Sequence, residues 1–102
     1  MIRGDLTIDL AAREVTVSGV QIELTPSEFA LLEALAAKPG RVRSRMQLLE
    51  VLPGERDDSL ERTVDVHIRN LRRKIEPSPA EPRYIQTVLG AGYRFSVPAS
   101  TP

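Results

Sequence analysis

The chain has 102 residues, room for one domain, and its 41% hydrophobic and 27% charged residues are an ordinary globular balance that argues against disorder. With no cysteine and one histidine, His67, it can build neither a disulfide framework nor a thiolate or multi-histidine metal site. The net charge of zero hides an asymmetry: residues 1–40 carry three Lys/Arg against six Asp/Glu, and 41–102 carry eleven against eight.

Residues 5–10 (DLTIDL) alternate, with Leu6, Ile8 and Leu10 predicted to face one way. Residues 14–18 (EVTVS) alternate again, and 21–24 (QIEL) make a third short strand after a turn at Ser18-Gly19. Three short strands joined by tight turns predict an antiparallel meander. The period then changes. Thr25-Pro26-Ser27-Glu28 is a helix start, with Thr25 as N-cap, Pro26 in the first helical position and Glu28 three residues after the cap. Phe29, Leu32, Leu35 and Ala36 follow at helical spacing, flanked by Leu31, and Pro39-Gly40 stops the helix after Lys38. Residues 44–51 (SRMQLLEV) predict a shorter second helix capped by Ser44, with Met46, Leu49 and Leu48 toward the core.

A polar loop, 53–59 (PGERDDS), leads to a third helix over about 60–75, capped by Asp58 or Ser59 and closed by Pro77. The three prolines of 77–83 (PSPAEPR) predict a stiff connector. Residues 84–88 and 93–97 are strands around Leu89-Gly90-Ala91-Gly92, a hairpin signal. The order is βββ–α–α–α–ββ: a winged helix-turn-helix of the α+β class, in a single domain, 1–102, with an ordered core of about 4–97.

The third helix is the informative element. Leu60, Val64, Ile68, Leu71 and Ile75 fall on one stripe, a core face, when side chains are placed about 100° apart. The opposite stripe holds Arg62, Val66, Arg69, Asn70 and Arg73; Asp65 and Arg72 flank it on one side, and Thr63, His67 and Lys74 on the other. A solvated amphipathic helix would explain outward arginines. Solvated faces, however, usually mix charge signs, because like charges repel along a helix. Here Asp65 is the one carboxylate between Arg62 and Lys74. An outward Val66 suits a thymine methyl, with arginine and asparagine beside it for guanine and adenine edges. Arginines at the groove rim would neutralise phosphates.

TPSEFALLEAL, RTVDVHIRNLRRKIEP and IQTVLGAGYRF resemble the DNA-binding effector domain of OmpR/PhoB-type two-component response regulators, over about residues 4–97. That resemblance implies a winged helix with an N-terminal four-stranded sheet, against the three strands read above, and residues 41–43 (RVR) are a candidate further strand. It makes the third helix the recognition helix. Arg62, Thr63 and Arg69 match positions that meet phosphates or bases, Val66 and Asn70 positions that meet bases, and Thr87 and Tyr93 wing positions on the backbone. Arg73, Lys74 and Arg94 complete the candidate DNA-binding set. Residues 52–59 match a loop addressing RNA polymerase, and the resemblance implies head-to-tail pairs on direct repeats of double-stranded DNA. The chain departs from the pattern at Leu52-Pro53, where an aromatic is common, at Leu89 for arginine and at Asn70 for a basic residue. Its binding site should differ accordingly.

The remaining residues suggest no chemistry. His67 has no serine or acid in triad relation, so nucleophilic catalysis is unsupported. Gly90-Ala91-Gly92 lacks the lysine and following helix of a phosphate-binding loop. Asp57-Asp58 suits a helix N-terminus better than a cation. The rival reading is a winged helix whose arginine face meets an acidic protein partner. No apolar run is long enough to span a membrane and no secretory leader is evident, so the expectation is a cytoplasmic protein without cofactor, metal or enzymatic activity.

Overall fold

The computed structural model describes residues 1–54 and 61–97. Its elements run β1 (Ile2–Arg3), β2 (Leu6–Asp9), β3 (Glu14–Val17), β4 (Val20–Ile22), α1 (Pro26–Ala36), β5 (Val42–Arg43), α2 (Arg45–Val51), α3 (Glu61–Ile75), β6 (Ile85–Val88) and β7 (Gly92–Phe95). The first four strands form one antiparallel sheet in the order β1-β2-β3-β4. The other sheet has the order β5-β7-β6, so the hairpin carries a third strand brought from between the first two helices.

Leu6, Ile8 and Val15 are buried beneath the first sheet, as their alternation requires. Leu10 is not: β2 ends at Asp9, whose Oδ1 accepts the Ala12 N–H at 3.0 Å, and the chain turns away, leaving Leu10 43% exposed. The fourth strand of the sheet is β1, too short at two residues to show alternation. Residues 42–43 do form a strand, but in the sheet of the hairpin.

Thr25 and Glu28 form a reciprocal capping box at the start of α1, each side chain bonded to the other's backbone N–H. Ser44 and Gln47 repeat it at α2. Leu48 and Leu49 are buried as expected, but Met46 is 55% exposed. Only seven residues long, α2 needs a single contact patch, and the adjacent pair Leu48 and Leu49 supplies it. Val64, Ile68, Leu71 and Ile75 seat α3 against α1 and α2. The expected caps Asp58 and Ser59, the core position Leu60 and the Asp57-Asp58 pair lie outside the described residues.

Connector 77–83 is closed by a buried side chain. The Glu76 carboxylate accepts backbone N–H bonds from Arg83, Tyr84 and Ile85 at 2.7 to 3.1 Å. Tyr84 then packs on Phe95, and its hydroxyl accepts the Asp5 N–H at 3.1 Å, tying the two sheets together. Gly92 has φ +139, and a Cβ there would come 2.0 Å from the Arg43 carbonyl oxygen. Only glycine lets β5 approach β7 this closely. Among the described residues no helix is long and apolar enough to cross a membrane.

Candidate nucleic-acid interface

The core stripe of α3 faces inward, so the stripe opposite faces out. Arg62, Val66, Arg69 and Arg73 are exposed at i, i+4, i+7 and i+11, with Asn70 half-buried beside them. Val66 is 57% exposed in the middle of this row. Thr63 is half-buried on the flank. Arg69 and Arg73 also line a cleft with Arg72, walled by Pro79 and Ala80 of the connector. The structure thus gathers Arg62, Val66, Arg69, Asn70 and Arg73 on one surface.

The remaining candidates are engaged elsewhere. The Lys74 ammonium lies 2.6 Å from Oε1 of the buried Glu28, on the α1 side of the helix. Tyr93 is 5% exposed, and its hydroxyl donates to Asp65 Oδ1 at 2.5 Å. Thr87 is exposed, but its hydroxyl accepts from Arg72 at 2.8 Å. Arg94 pairs across the hairpin with Gln86, onto whose Oε1 its guanidinium donates at 3.0 and 3.3 Å. Strand alternation puts Arg94 on the hairpin face opposite the one that Thr87 and Tyr93 turn toward α3.

Asp65 is withdrawn from the cationic face. Its Oδ1 also accepts from Arg45 Nε at 2.7 Å. Burial alone would raise the Asp65 carboxyl, but the bonds from Arg45 and Tyr93 outweigh it and hold the group below its ordinary value. Burial and the neighbouring Asp65 charge push the Tyr93 hydroxyl up, so both partners keep the protonation states that this bond needs. Arg45 and Arg72 were absent from the candidate set. Their part is invisible in sequence, because Arg45 meets a carboxylate twenty positions away and Arg72 a strand thirteen or more away.

Residues 19–95 match the family described as "Transcriptional regulatory protein, C terminal". The chain belongs to that family. The DNA-binding response regulator MtrA of Mycolicibacterium smegmatis is 47% identical over 95 residues, which are 93% of this chain and 42% of the relative. This regulatory C-terminal domain therefore spans about two-fifths of the length of the curated relatives it matches. Among solved structures, response regulator DrrB, an OmpR/PhoB homolog of Thermotoga maritima, superposes with a TM-score of 0.86 at 40% identity, covering 94% of this chain and 43% of that one. The RstA DNA-binding domain of Klebsiella pneumoniae, solved in complex with the RstA box, superposes at 0.82 with 38% identity, covering 94% and 95%. The fold is the winged helix of these domains, with α3 as its third helix and the β6–β7 hairpin at its C-terminal end.

Proposed function

We propose that the chain binds double-stranded DNA sequence-specifically, as the effector domain of a transcriptional response regulator. The α3 stripe enters the major groove and the wing lies at the adjacent minor groove. One observation carries this reading: the single carboxylate within 62–74 is drawn off the outer face by Arg45 and Tyr93, which leaves Arg62, Arg69 and Arg73 without a carboxylate partner among the described residues, around an exposed valine. A face of that composition suits phosphates at its rim and base edges at its centre. Arg62, Thr63, Val66, Arg69, Asn70 and Arg73 make the principal contacts. Lys74, Thr87, Tyr93 and Arg94 are secondary, because each already holds a partner within the fold. The chemistry is recognition, with no bond made or broken. Pairs arranged head to tail on direct repeats, a polymerase-facing loop at 52–59 and a cytoplasmic setting belong to the same reading; most of that loop lies outside the described residues.

Titration against random duplex DNA at several salt concentrations tests the electrostatic part. With about four to six phosphate contacts, log K should fall against log salt with a slope of about −4 to −5. Salt-independent binding, or none at low salt, would sink the reading. Selection from a random duplex pool then yields the preferred sequence.

A further inference from the structure

The wing is fastened to α3 at two points, and neither uses the outward stripe. At the first, the Tyr93 hydroxyl donates to Asp65, which Arg45 at the start of α2 holds from the other side. At the second, Arg72 donates to the Ile85 carbonyl through Nε at 3.0 Å and Nη2 at 2.8 Å, and Nη2 also donates to the Thr87 hydroxyl. Asp65 and Arg72 are seven residues apart on one flank of α3, roughly two turns or about 10 Å along the axis. The guanidinium carbons of Arg45 and Arg72 stand 5.9 and 5.5 Å from the centroid of the Tyr93 ring. One attachment would leave a hinge, whereas two separated attachments fix an angle. The clamp sits just below the turn: beyond Thr87 and Tyr93 only Val88 and Gly92 pair before the tip, Leu89-Gly90-Ala91.

We infer that Asp65 and Arg72 are positioning residues for DNA recognition, locking the wing to α3 and so setting the spacing between the base pairs read by the helix and the flank met by the wing tip. The inference rests on the DNA-binding reading above. It assigns Tyr93 and Thr87 to the clamp, as the groups through which the wing is held. The base of the hairpin is held by β5 as well, so losing the clamp loosens the turn beyond Thr87 and Tyr93, which would still carry its groups to the duplex but no longer at one register with the helix.

Asp65→Ala removes the carboxylate that accepts from Tyr93 and Arg45, and Arg72→Gln removes the guanidinium bonded to Ile85 and Thr87; neither residue is among the contacts proposed above. Each variant and the wild-type chain would be put through selection from the same random duplex pool. Base preference at the major-groove positions should stay within about twofold, while preference at the wing-side flank falls about fivefold, the weight of one hydrogen bond. Arg72→Gln carries the test if Asp65→Ala fails to fold. Arg72→Gln adds a separate readout: a positioning arginine leaves the salt slope nearly unchanged, whereas one bound to phosphate lowers it by about one. Equal loss on every duplex would mean that these side chains support binding without setting its register, and flank preference identical to wild type would mean that the clamp sets nothing. Either result overturns the inference. A wild-type chain that selects no sequence would instead overturn the DNA-binding reading itself, and with it this one.

Discussion

Gly92 tolerates no substitute. Its backbone lies in the left-handed half of conformational space, and the space of a Cβ is already filled by the Arg43 carbonyl. Gly92→Ala must part β5 from β7 or force the backbone elsewhere, and should cost about 2–3 kcal/mol of stability, read as a fall in Tm. Unchanged Tm would show that β5 is dispensable to the hairpin. The outward arginines behave oppositely. Arg69→Ala and Arg73→Ala should leave stability within about 0.5 kcal/mol, as exposed substitutions do, while each weakens duplex binding. Asn70 offers an amide that matches an adenine edge bidentately, a discrimination of about 1–3 kcal/mol, so Asn70→Ala should relax one base position more than it lowers non-specific affinity. These residues were legible because helical periodicity alone separates inward from outward positions. Tyr93 and Lys74 were not: each has a polar group satisfied by a carboxylate 28 or 46 residues away, and spacing in sequence carries no trace of such partners.

The elements are legible from their ends as much as from their middles. Thr25, Pro26 and Glu28 announced α1, and the capping box is present. Glu28 does more than cap. It is buried, and Lys74 near the end of α3 reaches it, so one carboxylate joins the start of α1 to the last turn of α3. Burial tends to raise its pKa, but the bonds from Lys74 and Thr25 outweigh this and hold it below the ordinary carboxylate value. A depressed folded-state pKa contributes stability that is complete above the unfolded-state value and is lost as pH falls through the folded one. Denaturant unfolding from neutral pH into the acid range should therefore show wild type losing stability while Glu28→Gln loses less, the two converging at the acid end. Parallel curves would mean that the ion pair contributes nothing. Short elements leave little trace in the sequence. Two-residue strands such as β1 and β5 have no period to detect, and their pairing is set by partners elsewhere in the chain. In α2, the same brevity let Met46 face solvent although its spacing suited a core position.

At the scale of the whole molecule, a chain of zero net charge carries a cationic face on α3, and the hairpin clamped to the flank of that helix ends in an apolar residue. Leu89 is 93% exposed at the tip, so it is no part of the core, and changing it should not disturb folding. Its neighbours make a turn in which the Ala91 N–H donates to the Val88 carbonyl at 2.9 Å, a bond between backbone groups alone. The side chain at 89 is thus free to change while the tip keeps its shape. A narrow A·T-rich minor groove carries enhanced negative potential, and an arginine inserted there gains from it. Leucine cannot make that contact; in the proposed docking it would lie against sugar edges. Relative to a wing ending in arginine, this chain should depend weakly on the A·T content beside its major-groove site. Leu89→Arg should leave Tm unchanged, raise duplex affinity, steepen the salt slope by about one and add an A·T preference at that flank. Melting temperature and selected flank sequence, measured on the same variant, decide the matter. An unchanged Tm with no gain in affinity and no new flank preference would place the wing tip outside the groove. A fall in Tm would show that the exposed leucine supports the turn after all.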